Sequence, residues 1–104
     1  MIESIFASLA DNFVAGTVDK PTSYYFSLGD HKKSVYLTSE SCLVEDGRTV
    51  EEADCVCKTS GEFFVRIWQE GYRPGMADFL SGTIKSNNPT ALQTFLAAFG
   101  KSDA

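Results

Sequence analysis

The sequence contains neither a long apolar run nor an excess of basic residues. None of its apolar stretches approaches the ~20 residues that a membrane-spanning helix requires. Fourteen Asp and Glu residues outnumber nine Lys and Arg, which leaves a net charge of −5. This balance argues against nucleic acid as a partner, because phosphate neutralisation requires clustered basic residues. It argues equally against strong binding to anionic membranes.

Cysteine and histidine are also scarce, with three cysteines and one histidine in the chain. The segment from Met1 to Leu9 contains Glu3 but no Lys or Arg, so we expect no signal peptide. An odd number of cysteines without an export signal favours reduced thiols and a cytoplasmic protein. Because no Cys-x-x-Cys spacing repeats, we expect no structural zinc site, and no motif indicates a cofactor.

Two of the cysteines, Cys55 and Cys57, are two positions apart in a predicted strand, so both thiols point to one face of the sheet. We expect small buried hydrophobic side chains there, since free cysteine is among the most buried residue types. A disulfide or a thiol sensor remains an alternative. His31 lies in a predicted hairpin loop beside Lys32 and Lys33, where we expect a solvated residue rather than a general base.

The apolar pattern of the first half predicts one helix and four strands. The chain has 104 residues, of which 43% are hydrophobic, so we expect one folded domain over residues 1–104. Apolar residues at three- and four-residue steps predict a helix over residues 2–14. Alternation of apolar and polar residues predicts strands over 23–29, 34–39, 42–44 and 53–58, with a hairpin loop over 29–33.

The second half predicts three helices and a fifth strand. Ser60 suits the N-cap of a helix that ends at Gly71, and a short helix follows Pro74-Gly75. Thr83-Ile84-Lys85 is a short strand, and Asn88-Pro89 begins a last helix that runs to Phe99. The predicted fold class is therefore α+β, with a five-stranded mixed sheet and helices covering one face.

Two segments carry a resemblance to a known family. The first is Ala53-Asp-Cys-Val-Cys-Lys58 followed by Ser60-Gly-Glu-Phe-Phe64, and the second is Phe79-Leu-Ser-Gly-Thr-Ile-Lys85 after Gly71. This chain resembles the sterol carrier protein 2 family, in which an alternating strand precedes a capped helix and a short helix precedes a lysine-containing strand. Cys55 and Cys57 stand where that family usually has Val or Ile, and Asp78 stands where it often has Ala.

The resemblance implies a twisted five-stranded sheet with a hydrophobic tunnel between the sheet and the helices. Such a tunnel takes fatty acids, fatty acyl chains or sterol-like lipids, and no covalent chemistry is implied, so we expect a protein that is not an enzyme. The apolar helix residues would line it. They are Phe63, Phe64, Ile67, Trp68, Met76, Phe79, Leu80, Leu92, Phe95, Leu96 and Phe99. Arg66 and Arg73 are candidates for holding a carboxylate head group.

Two other interpretations stay open. The same apolar residues are what any small domain needs to fill its core, since burial contributes roughly 25 cal/mol per Å². With a closed core, the chain would be a protein-interaction or dimerisation module without a lipid ligand, and its partner would be a second copy or a larger protein. An enzyme that uses the thiols ranks lowest of the three.

Overall fold

The computed structural model describes residues 2–72 and 74–100 of the chain. The order of elements follows the prediction: a helix, four strands, two helices, a strand and a helix. The helices are α1 (Ile2–Ala7), α2 (Gly61–Glu70), α3 (Met76–Leu80) and α4 (Pro89–Ala98), with a 3₁₀ turn at Ala10–Asn12. The strands are β1 (Thr22–Leu28), β2 (His31–Leu37), β3 (Cys42–Asp46), β4 (Cys55–Thr59) and β5 (Ile84–Ser86).

The five strands form one open mixed sheet in the order β3-β2-β1-β4-β5. Strands β1 and β4 are parallel, and every other neighbouring pair is antiparallel. In the register, Tyr24 lies opposite Val35 on β2 and Cys55 on β4, so these three side chains share a face. The predicted fold class is confirmed.

Three helices cover that face. The ring of Phe26 at the centre of β1 contacts Phe6 of α1, Phe64 of α2 and Phe95 of α4, with centroid distances of 5.7, 5.7 and 4.8 Å. Phe26 has no exposed surface. Because one strand residue contacts all three helices, the core is a single layer between the sheet and the helices.

The opposite face of the sheet is crossed by the segment that joins β3 to β4. The carbonyl of Gly47 accepts a hydrogen bond from the Ser34 hydroxyl at 2.8 Å, and the Arg48 guanidinium lies 5.1 Å from the centre of the Tyr25 ring. This segment passes from the edge strand over β2 to β1 and covers Ser34, which is fully buried. The other strand residues on that face remain polar or partly exposed.

The predicted caps of the two long helices are confirmed. The Ser60 hydroxyl accepts a hydrogen bond from the Phe63 amide at 3.1 Å, and Asn88 Oδ1 accepts one from the Ala91 amide at 3.2 Å. Gly71 ends α2 with φ of +70°, a conformation that glycine adopts without steric cost. Of the helices in the described ranges, none is long and apolar enough to span a membrane.

Two boundaries differ from the prediction by three or more residues, and the other strand ends differ by one or two. The first helix stops at Ala7 rather than at residue 14, because the hydroxyl of Ser8 bonds back to the Ser4 carbonyl and the next residues form the 3₁₀ turn. The predicted loop over 29–33 is a two-residue turn at Gly29-Asp30. His31 therefore lies in β2, and the expectation that it is a loop residue was wrong.

Candidate functional site

Nine of the eleven residues predicted to line a cavity lie in or against the core. Seven are buried: Phe63, Phe64, Ile67, Trp68, Leu92, Phe95 and Phe99. Phe79 and Leu96 are partly buried and pack against that cluster. Met76 and Leu80 on α3 are instead 78% and 81% exposed. The structure therefore brings the residues of α2 and α4 together and leaves the two ends of α3 apart from them.

Aromatic rings fill the space between the sheet and these helices. The ring of Phe95 lies 5.0 Å from Tyr24, 4.8 Å from Phe26 and 4.9 Å from Phe99. Trp68 stacks on Phe64 at 5.8 Å. These separations are those of rings in contact within a close-packed interior. The role of these residues as the walls of a tunnel stays a prediction, and a ligand among them would have to displace rings.

Of the two arginines considered for a head group, Arg66 is the one that the structure describes, and it lies against an aromatic ring. The Arg66 guanidinium lies 4.5 Å from the centre of the Tyr72 ring, a cation–π geometry. The Tyr72 hydroxyl donates to Asp78 at 2.7 Å, and Asp78 also accepts from the Gly75 amide at 2.9 Å, which anchors the start of α3. Arg73 lies outside the described residues.

A groove with apolar walls lies between α1 and the edge strand β3. Its volume is about 490 Å³, within the roughly 300–1,000 Å³ typical of small-molecule sites. Phe6, Ala7 and Ala10 form one side and Cys42, Leu43 and Val44 form the other, with Glu3, Lys33 and Asp46 at one end. Val44 lies opposite Val35 and Cys42 opposite Leu37, so these two β3 side chains face the groove, whereas Leu43, opposite Tyr36, points to the other face of the sheet.

The charged end of the groove is built around Lys33. Its ammonium group lies 2.7 Å from Glu3 Oε1 and also contacts Asp46, while His31 Nδ1 lies 2.8 Å from the other oxygen of Glu3. Burial alone would lower the pKa of Lys33, but the hydrogen bonds to Asp46 and Glu3 outweigh it and raise that pKa. The hydrogen bonds that Glu3 makes with Lys33 and His31 lower the pKa of Glu3. Two carboxylates beside one ammonium leave this end negative.

Phe6 connects the groove to the core. It is 3% exposed and lines the groove, while its ring stacks on Phe64 at 5.6 Å and contacts Phe26. The groove therefore adjoins the predicted lining residues, although it is bounded mainly by others.

The inward cysteines behave as small core residues. Cys55 and Cys57 are both 1% exposed, in agreement with the prediction, and Cys42 is half-buried at the groove. Burial raises the pKa of the Cys57 thiol to about 12 and that of Cys42 to about 11, so both are held as thiols. Among the residues that the structure describes, no group of three or more His, Cys, Asp or Glu side chains is placed to hold a metal ion.

The sequence reasoning missed the groove because it placed Lys33 in a loop. A usable signal was present: Lys33 is in phase with Val35 and Leu37 of the same strand, so its side chain points to the core face. A charged residue at an inward position of a strand indicates a buried ion pair. The partner Glu3 on α1 is distant in sequence and is identified only by the tertiary structure.

Comparison with known proteins finds no family model and no curated protein that matches this chain. Among solved structures, it is similar in fold to part of the stereoselective inverting sec-alkylsulfatase Pisa1 from Pseudomonas sp., with a TM-score of 0.76 and 16% identity over 100% of this chain. A double mutant of that sulfatase matches 95% of the chain with a TM-score of 0.77 and 16% identity. The chain spans 16% of the sulfatase's length.

A third match is weaker. A conserved hypothetical protein from Thermus thermophilus, described as a candidate sterol carrier protein, has a TM-score of 0.47 and 13% identity over 83% of this chain and 67% of its own. At these identities the likeness to the sulfatase shows the fold alone. The resemblance to the sterol carrier protein 2 family stays a prediction from the sequence motifs.

Proposed function

We propose that this chain is a non-catalytic binding domain for a lipid-like ligand, whose apolar part lies in the groove between α1 and β3. The observation that carries the proposal is the groove itself, with apolar side chains on two walls and a buried aromatic floor at Phe6. An apolar chain gains free energy by displacing water from such a concave lining. A long chain would reach the rings of Phe26 and Phe64 if the Phe6 side chain changed its rotamer.

The charged end selects among lipid classes. Glu3 and Asp46 contribute two negative charges and Lys33 one positive charge, so the head of the ligand meets a net charge of −1. A fatty acid carboxylate would be repelled there, whereas an uncharged head would accept or donate hydrogen bonds. The proposed ligand is therefore a sterol-like lipid or an acyl ester rather than a free fatty acid.

The test compares a monoacylglycerol with the fatty acid of the same chain length, by native mass spectrometry and thermal unfolding. We expect the neutral lipid to bind stoichiometrically and to raise the unfolding temperature, because a ligand at about 100 times its Kd stabilises by about 2.7 kcal/mol. The fatty acid should bind more weakly.

Matched variants locate the site. Ala7→Trp places an indole in the groove from an exposed position of α1, and Ala77→Trp adds the same group at an exposed position of α3. Loss of binding in the first variant alone is expected. Equal binding by both variants, or no binding of either lipid by the wild type, would overturn the proposal.

A second candidate is a dimerisation module with a closed core. Two observations favour it: rings fill the space between sheet and helices, and Met76 and Leu80 project from one short helix with most of their surface exposed. The proposed partner is a second copy of this chain, paired through α3. Light scattering should then show a dimer that Met76→Ser with Leu80→Ser converts to a monomer, and a wild-type monomer would exclude this candidate.

A further inference from the structure

Three lysines lie in one row on the sheet face opposite the helices. Ser27 of β1 lies opposite Lys32 of β2 on one side and Lys58 of β4 on the other, and Lys58 lies opposite Lys85 of β5. The row therefore crosses four neighbouring strands at one level. It concentrates three positive charges in a protein whose net charge is −5.

The row lines a depression of about 320 Å³ at the end of the sheet. Its other walls are Gly29, Thr59, Ser60, Gly82 and Thr83, and no carboxylate belongs to the lining. At Gly82, which has φ of +82°, a Cβ would lie 3.6 Å from the Cε atom of Lys85. The Lys85 arm therefore folds back over this glycine toward the depression.

The three lysines differ in the hydrogen bonds that their ammonium groups donate. Lys32 donates to the Ser27 hydroxyl at 2.9 Å and to the Gly29 carbonyl at 2.6 Å, which holds it at the rim. Within the described ranges, Lys58 and Lys85 donate no side-chain hydrogen bond, and no carboxylate lies within ion-pair distance of any of the three. Like charges directly opposite on neighbouring strands destabilise a sheet. A bound anion would offset that cost.

We propose that this lysine row binds a phosphate group. Three ammonium groups supply more positive charge than a monocarboxylate neutralises, and phosphate carries close to two negative charges with several acceptor oxygens. Lys58 and Lys85 would donate hydrogen bonds directly to the phosphate oxygens, and Lys32 would add positive charge from the rim. The hydroxyls of Ser60 and Thr83 can donate to the remaining oxygens. The phosphate belongs either to a free small molecule or to a lipid head group.

The first arm of the test is calorimetric titration with inorganic pyrophosphate, with acetate for comparison. We expect saturable binding of one pyrophosphate, weaker binding at higher ionic strength and much weaker binding of acetate. Lys58→Gln with Lys85→Gln should reduce affinity by about a hundredfold, at roughly tenfold per charged hydrogen bond. Lys20→Gln is the control, because Lys20 precedes β1 at the opposite end of that strand.

The second arm measures co-sedimentation with phosphatidylcholine vesicles that contain or lack phosphatidylglycerol. Binding that depends on phosphatidylglycerol and disappears in the double variant, without pyrophosphate binding, would assign the phosphate to a lipid head group. Pyrophosphate binding without vesicle binding would assign it to a free molecule. Failure of both ligands, or binding that the double variant retains, would overturn the proposal.

Thermal unfolding separates a binding role from a structural one. Without pyrophosphate, the double variant should unfold at the same temperature as the wild type or higher, because charge repulsion across β4 and β5 is removed. With pyrophosphate, only the wild type and Lys20→Gln should gain stability. Ala7→Trp should bind pyrophosphate normally, so failure of the groove proposal leaves this one standing.

Discussion

The ammonium group of Lys33 lies 2.7 Å from a carboxylate oxygen of Glu3, which joins the inner face of β2 to the first helix. Lys33 is 4% exposed, so this inward lysine depends on its partners to remain charged. The contact lies at the charged end of the groove, where Asp46 adds a second carboxylate beside the same ammonium group. It also makes the stability of the protein depend on pH in a defined direction.

The lowered pKa of Glu3 predicts a loss of stability in acid. A carboxylate whose pKa falls on folding stabilises the protein when the pH is above the ordinary pKa of 4.5. That contribution disappears as the pH falls through the lowered pKa of the folded state. Thermal unfolding between about pH 2 and pH 7 should show this loss. Lys33→Met should reduce the pH dependence, whereas Lys20→Met should leave it unchanged. Identical profiles for Lys33→Met and the wild type would contradict the assignment.

The raised pKa of Lys33 predicts the opposite dependence in alkali. A lysine whose pKa rises on folding stabilises the protein fully below its ordinary value of 10.5, and the contribution is lost as the pH rises through the raised folded value. In alkaline buffers, the unfolding temperature should therefore fall more steeply with rising pH in the wild type than in Lys33→Met. If the unfolding temperature of Lys33→Met fell with pH as steeply as that of the wild type above the ordinary lysine pKa, the ion pair would contribute nothing to stability in that range.

Replacement of Phe95 by Ala should cost about 3–5 kcal/mol of unfolding free energy, because a fully buried ring that contacts other rings is lost and leaves a cavity. Urea unfolding measures the change. Phe79→Ala, at a partly buried position of α3, is the control and should cost less. A Phe95→Ala protein nearly as stable as the wild type would indicate that this side chain borders an open tunnel.

Ser60→Ala should destabilise the protein by about 1 kcal/mol, since the amide of Phe63 loses its hydrogen-bond acceptor at the start of α2. Ser60→Gly should cost only a few tenths of that amount, because glycine is tolerated at N-caps. Urea unfolding of the two variants provides the comparison. Equal loss in both would point to a role of the hydroxyl other than capping.

Thiol labelling of the native protein at about pH 8 should be slow and ordered. Cys42 is half-buried and should react first, and Cys57 should react only when the protein unfolds, because burial raises its pKa to about 12. Mass spectrometry of labelled peptides identifies each site. In guanidinium chloride all three thiols should react at similar rates. Fast native labelling of Cys57 would show that the sheet opens near β4.

Local patterns predicted most of the secondary structure. The Ser60 and Asn88 caps and the alternation of Tyr24, Phe26 and Leu28 each depend on a few neighbouring residues, so they could be identified without the fold. The turn at Gly29-Asp30 was predicted at the right place in the chain, but the predicted loop was too long. Its true length follows from the pairing of Leu28 with His31, which is a property of two strands together.

The sites could not be predicted in the same way, because each joins residues that are far apart in the chain. The groove brings Ala7 and Ala10 against Cys42 and Val44, and the lysine row brings Lys58 beside Lys85. Nothing in either local segment indicates the other. The exposure of Met76 and Leu80 was missed for a related reason. The sequence of a five-residue helix is too short for a pattern that tells which of its sides packs against the rest of the protein.

The sequence by itself determined the α+β class, the order of the elements and most of the inward apolar strand residues, because periodicity and capping are local physical preferences. The tertiary structure alone decided where space remains. Whether large apolar residues enclose a tunnel or fill a core depends on how rings such as Phe95 and Trp68 pack across the sheet. Long-range strand register likewise decided that three lysines share one face without a carboxylate beside them, since only pairing between strands sets those distances.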